Sequence, residues 1–227
     1  MEYSGIKPEA LMLMEENRFR DSKPFYEENK EKIKQGMTVP MREIAAILGG
    51  KMARIDPLMV TDPVKMVSRI RRDTRFSKDK HLYRDNMWVM FMRDKREWQH
   101  YPCLWFEVTP KVITSGICFF DSNAALMNTF RQKLIEKPSA FKNAFKRVES
   151  TGSLGFGDCY KKQFKDCPKG LEKYFSLKNV GFMASFTDFT VLTDNRIIEI
   201  LDRLFDDFTP LFRLMLEVSD CCFAKGE

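Results

Sequence analysis

Apolar side chains recur at helical spacing towards both ends of the chain and crowd into short unbroken runs in its middle. Residues 8–17 set Leu11, Met12 and Met14 against Glu15 and Glu16, which predicts a short helix. Asp21 or Ser22 is placed to cap a second helix, with Pro24 in its first turn, where a missing N–H does no harm. Phe25, Tyr26, Asn29 and Ile33 carry that helix to about Gly36. Thr38 and Pro40 restart it, and Ile44, Ala45, Ile47 and Leu48 form an apolar stripe; Gly49-Gly50 weakens it and Asp56-Pro57 ends it.

After Pro63 the period shortens. Residues 66–70 read as a strand. Residues 87–92 (MWVMFM), 103–108 (CLWFEV) and 112–120 (VITSGICFF) read as strands with at least one deeply buried face. The links at 93–100 and at Thr109-Pro110 are short enough for antiparallel hairpins. Asp121 or Ser122 then caps a helix through Leu126, Phe130, Leu134 and Ile135, which Pro138 interrupts. Ser139 begins another turn or two with Phe141, Phe145 and Val148. The glycine-rich TGSLGFGDCY (151–160) reads as a hairpin turn or a lid. An irregular stretch at 167–170 precedes a short helix at 171–176, a strand within 181–192, and a final helix over 194–218 bent at Pro210. Helices at both ends and strands between predict an α+β fold, with helices from the N- and C-terminal segments packed on a central, mainly antiparallel sheet. No repeat, low-complexity tract or linker divides the sequence, so residues 1–227 are expected to form a single domain.

Composition narrows the function classes. The 227 residues are 44% hydrophobic, with 20 Phe and 14 Met, enough for a sizeable core. No apolar run approaches the ~18 residues that span a bilayer, and the first residues lack the pattern of a signal peptide. A cytoplasmic protein without a membrane partner is therefore expected. Six cysteines in that setting read as reduced thiols, and the adjacent Cys221 and Cys222 as packing residues. Without a C-x-x-C pair, and with His81 and His100 the two histidines, no metal site is expected. G-x-S-x-G, H-E-x-x-H and Walker motifs are absent. Gly152, Gly155 and Gly157 lack the G-K-[ST] ending of a phosphate loop. No cofactor is called for, and no catalytic residue is assigned.

The net charge of +6 is mild, but it is concentrated. Residues 69–80 hold Arg69, Arg71, Arg72, Arg75, Lys78 and Lys80 against Asp73 and Asp79, or +4. The surrounding run RIRRDTRFSKDKHLYRD resembles the signature of the DUF2461 family, R-x-x-R-D-T-R-F-S-K-D-K followed by a tyrosine. Those positions are Arg69, Arg72, Asp73, Thr74, Arg75, Phe76, Ser77, Lys78, Asp79, Lys80 and Tyr83. Asn17, Phe25, Tyr26, Asn29 and Lys30 resemble the family's asparagine–aromatic–asparagine–lysine opening, and Gly116, Arg131 and Pro168-Lys169-Gly170 are weaker echoes. The resemblance covers most of the chain and brings no activity with it. His81 and Leu82 stand where the family usually has threonine and proline, which argues against His81 as a family-wide base. Phe25 stands where tryptophan is frequent, and Gly116 alone replaces a glycine doublet.

Arginine forks grip phosphate or carboxylate through paired N–H donors, and lysine adds a mobile point charge. If the segment is extended, Arg71, Asp73 and Arg75 share one face, and Arg72 and Thr74 the other. The leading expectation is a site for a phosphorylated or otherwise anionic small molecule. In it Arg72, Arg75, Lys78 and Lys80 bind the anion with help from the Thr74 hydroxyl, Asp73 and Asp79 orient them, and Tyr83 closes the site. Two alternatives stay open: a structural ion network that pins a loop, and a non-enzymatic nucleic-acid or protein interaction module that uses the same basic face beside Phe76, Tyr83 and Trp88. A carboxylate among arginines has a depressed pKa, which suits charge pairing better than proton abstraction.

Overall fold

A computed structural model describes residues 2–94, 96, 98–161 and 164–223. The fold is α+β. Five strands form one antiparallel sheet: β1 (Met87–Phe91), β2 (Pro102–Val108), β3 (Ile113–Phe119), β4 (Leu154–Phe156) and β5 (Gly181–Phe186), in the order β1-β2-β3-β5-β4. The chain divides into two compact units. One holds residues 1–91, 105–114 and 185–202, and the other holds 92–104, 115–184 and 203–227.

In the first unit, α1 (Pro8–Arg20), α2 (Lys23–Ile33) and α3 (Val39–Ile55) follow the expected helical spacing. Ser22 caps α2, its side chain accepting from the Phe25 N–H. Asp21 instead ends α1 in a left-handed conformation (φ 45°), and its carboxylate accepts the Leu82 N–H at 2.6 Å. The chain does not stop between α2 and α3 but continues through a π-helical turn, Lys34–Thr38. Pro40 has no N–H to offer the Gly36 carbonyl four residues back, and that carbonyl instead accepts from Lys7 N–H at 2.8 Å. Gly36 sits so close to α1 that a Cβ would lie 2.6 Å from that of Ala10.

The stretch expected to be a strand at 66–70 differs. Asp62 caps a single helical turn, α4 (Pro63–Met66), by accepting the Val64 N–H. Isolated antiparallel bridges then join Val67 to Val89 and Arg71 to Tyr83. The Ser68 N–H donates to Trp88 O, Arg84 N–H to Ile70 O, and Arg72 N–H to Leu82 O, at 2.9, 2.9 and 2.7 Å. Residues 67–72 thus run back along 82–89, and the charged segment between them is the tip of this hairpin.

In the second unit, Asn123, rather than Asp121 or Ser122, caps α5 (Ala124–Glu136) by accepting the Leu126 N–H at 2.9 Å. Pro138 opens α6 (Pro138–Ser150), as its missing donor favours. The aromatic core holds Phe145, stacked at 3.6 Å on Tyr174 of α7 (Glu172–Phe175) and 5.7 Å from Phe182 of β5. The glycine-rich stretch, expected to be a turn or lid, supplies β4. Its partner β5 offers Gly181 to the Phe156 ring, where a Cβ would come within 2.2 Å of Cζ. Strand β5 ends well before Leu192 because Asp188 accepts the Thr190 N–H and opens a 3-10 turn, Phe189–Thr193.

All seven residues of β3 are buried. Since successive side chains point to opposite faces, both faces of that strand are covered. The final helix, α8 (Arg196–Phe223), retains Pro210 in its interior. Among the described residues no helix is long and apolar enough to cross a membrane.

Candidate functional site

The hairpin tip begins with an alternation. Arg69, Arg71, Asp73 and Arg75 are exposed, whereas Ile70 is buried and Arg72 and Thr74 are partly covered. This is the two-face split expected of an extended segment, and it turns the Arg72 side chain, 15% exposed, inward. Its Nη1 pairs with Asp79 Oδ2 at 2.7 Å and donates to His81 O at 3.1 Å, while Nη2 donates to Ser77 Oγ at 3.2 Å.

Asp79 is the hub. Its Oδ2 also accepts from Arg18 Nη2 in a short contact, and Oδ1 accepts the His81 N–H at 3.1 Å with His81 Nδ1 2.7 Å away. These bonds, Arg18's foremost, hold the Asp79 carboxyl well below the usual carboxylate range. Arg18 Nη1 donates to Tyr83 O at 3.1 Å, so the end of α1 is tied to both the tip and the second arm of the hairpin.

Arg18, Arg72 and Asp79, with Arg84, Asp85 and Asn86, line a cleft of about 180 Å³. Asn86 Nδ2 is held by Glu107 Oε1 of β2. Arg84 is different in kind. Its guanidinium carbon lies 4.4 Å from the centroid of the Trp88 ring, and its Nε is buried with no acceptor. Among the described residues no carboxylate pairs with it within 4.0 Å. Burial, then the nearby charge of Arg72, lowers the Arg84 pKa from its ordinary value, with Glu107 opposing in part. The wall therefore carries a half-buried cation that Glu107 offsets only in part and that, among the described residues, has no carboxylate within 4.0 Å.

The other expected residues lie elsewhere on the hairpin. Arg75 grips Asp73 through Nε at 3.0 Å and Nη2 at 2.7 Å; this pair is exposed, and Arg75 holds the Asp73 carboxyl at about 2. Lys80 Nζ donates to the Thr74 carbonyl at 3.0 Å, which occupies Thr74's backbone rather than its hydroxyl. Lys78 is exposed. Tyr83 is buried, and its ring stacks on Tyr26 at 4.8 Å. The structure thus brings Arg72 and Asp79 together in the cleft and leaves Asp73, Arg75, Lys78 and Lys80 outside its walls.

Sequence reasoning missed Arg18, Arg84, Asp85 and Asn86. Period two, counted back from Val89 and Met87, would have set Arg84 and Asn86 on the face opposite Tyr83. Nothing local marks Arg18, which meets Asp79 across 61 positions. Of the opening motif, the Asn17 side chain is fully buried without a hydrogen-bond partner among the described residues, Asn29 Nδ2 donates to Phe25 O, and Lys30 pairs with Glu27 on the surface. Among the described residues no three His, Cys, Asp or Glu side chains are grouped to hold a metal.

Residues 9–213, which include every residue of the cleft, match the model of DUF2461, described as a conserved hypothetical protein. The chain belongs to the DUF2461 family. No curated protein matches it. Membership makes the charged hairpin and the end of α1 family territory and assigns neither a reaction.

Proposed function

We propose that the cleft binds a small molecule through a phosphate or carboxylate group. The observation that carries this reading is the Arg84 guanidinium, set in the wall with no carboxylate within 4.0 Å among the described residues and with a buried, unpartnered Nε. Leaving such a donor unsatisfied costs about 1–3 kcal/mol. An anion bound in the cleft beside Arg84 would neutralise the charge. Arg72 and Arg18 stand ready as further donors, and Asp79, which pairs with both, fixes their forks in place. Asp85 and Asn86 would meet the uncharged part of the ligand, favouring one that carries hydroxyl or amine groups beside its anion. Asp79 is too acidic to take up a proton near neutral pH, so its role is electrostatic.

Thermal-shift measurements against inorganic phosphate, sugar phosphates, nucleotides and carboxylates test this. Wild type should be stabilised by one of these classes, and Arg84→Gln, still folded, should lose the shift. Arg75→Gln should keep it, because Arg75 is spent on Asp73 outside the cleft. A shift that Arg75→Gln abolishes and Arg84→Gln retains would move the site to the exposed turn.

A further inference from the structure

Outside the cleft, the same hairpin presents further exposed cations. Arg69, Arg71, Lys78 and Lys80 are exposed, and among the described residues none has a carboxylate within 4.0 Å. Asp73 bonds Arg75 through both its oxygens and also feels the charge of Arg69, so its single negative charge leaves most of the hairpin's positive charge standing. At the turn stands Phe76, 94% exposed, with the Arg75 guanidinium carbon 5.8 Å from its ring centroid. A second ring, Phe19, is 88% exposed beside Arg18, the residue that ties α1 to this hairpin.

Single exposed apolar residues are ordinary on protein surfaces. An exposed ring at the turn of a hairpin that carries four exposed cations, none with a carboxylate within 4.0 Å among the described residues, is a more specific arrangement. It matches a polyanion whose charges repeat along a chain and whose uncharged parts are flat. We propose that the hairpin tip is a docking surface for single-stranded nucleic acid, with Arg69, Arg71, Lys78 and Lys80 on phosphates and Phe76 stacked on an unpaired base.

A single strand fits better than a duplex, because stacking on Phe76 needs a base free of its partner. It also fits better than an anionic membrane. Seating Phe76 among lipid tails would draw the adjoining Arg75–Asp73 pair out of water, a costly transfer for two charges. A stacked base leaves that pair solvated.

Fluorescence anisotropy with short labelled oligodeoxythymidine and oligouridine, from about 50 to 200 mM salt, reads the proposal. Four phosphate contacts predict a log–log salt dependence of about −3, and Lys78→Ala should reduce its magnitude by about 0.7. Phe76→Ala should weaken binding at least about fivefold with the salt dependence unchanged. Because Phe76 is exposed, its removal should leave the melting temperature as in wild type. It should also leave the cleft's response to small anions as in wild type, so the two sites fail separately. The two oligonucleotides distinguish a DNA from an RNA strand. Absence of binding at low salt, binding indifferent to Phe76→Ala, or Phe76-dependent capture of anionic vesicles without oligonucleotide binding would each overturn the proposal.

Discussion

Asp79 concentrates the chemistry of the hairpin in one carboxylate. It bonds Arg18 and Arg72 through Oδ2 and the backbone and ring of His81 through Oδ1, and Arg18 first, then His81, depress its pKa. A carboxyl whose folded pKa lies below its unfolded value near 4 contributes stability above that value and loses it as the pH falls further. Asp79→Asn should therefore melt below wild type at neutral pH, and the gap should close as the pH is lowered from about 5 towards 2. Unfolding curves of the two proteins across that interval check this; a gap that stays constant would show that Asp79's charge contributes nothing to the tie. How much of the site the sequence reveals also turns on single residues. Arg72 and Asp79 were legible because their charges crowd into twelve positions. Arg84 was not, because its significance lies in what is missing around it. An unpaired guanidinium looks in sequence like any other arginine.

At the scale of elements, the helices and the central strands follow from apolar periodicity, and the differences arise where a side chain captures the backbone. Asp62 turns 63–66 into a helical turn, and Asp188 cuts β5 short. Each competes locally with strand pairing, and a hydrophobic pattern does not register that competition. Gly36 is a clearer case. Its loss of a partner at Pro40 was readable, but the close approach of α1 that compels glycine there was not. Gly36→Ala should destabilise the protein by about 1–3 kcal/mol through forced separation of α1 from the π-helical turn. Gly50, exposed within α3 with nothing within 4 Å of a would-be Cβ, should behave oppositely. Gly50→Ala should gain about 0.5–1 kcal/mol. Urea unfolding of both variants decides between steric contact and helix propensity, and equal effects would refute the steric account.

For the whole molecule, the expectation of a single domain becomes a question of cooperativity. Four of the five divisions between the two compact units fall inside β2, β3, β5 and α8, so melting either unit alone would break strands and a helix that the other shares. Calorimetry should show one transition with matching calorimetric and van't Hoff enthalpies. Two resolved transitions would mean that the units are independent domains. Every residue of the cleft and of the hairpin tip belongs to the first unit, so its chemistry rests on one set of local ties. The most direct test of that chemistry is the arginine Nε–Hε NMR spectrum of the intact protein during titration with inorganic phosphate, with Arg84 and Arg75 assigned from Arg84→Gln and Arg75→Gln. The Arg84 signal should shift and saturate while that of Arg75 stays in place. Equal, unsaturating drift of all the arginine signals, or a saturating shift of Arg75 alone, would contradict anion capture in the cleft.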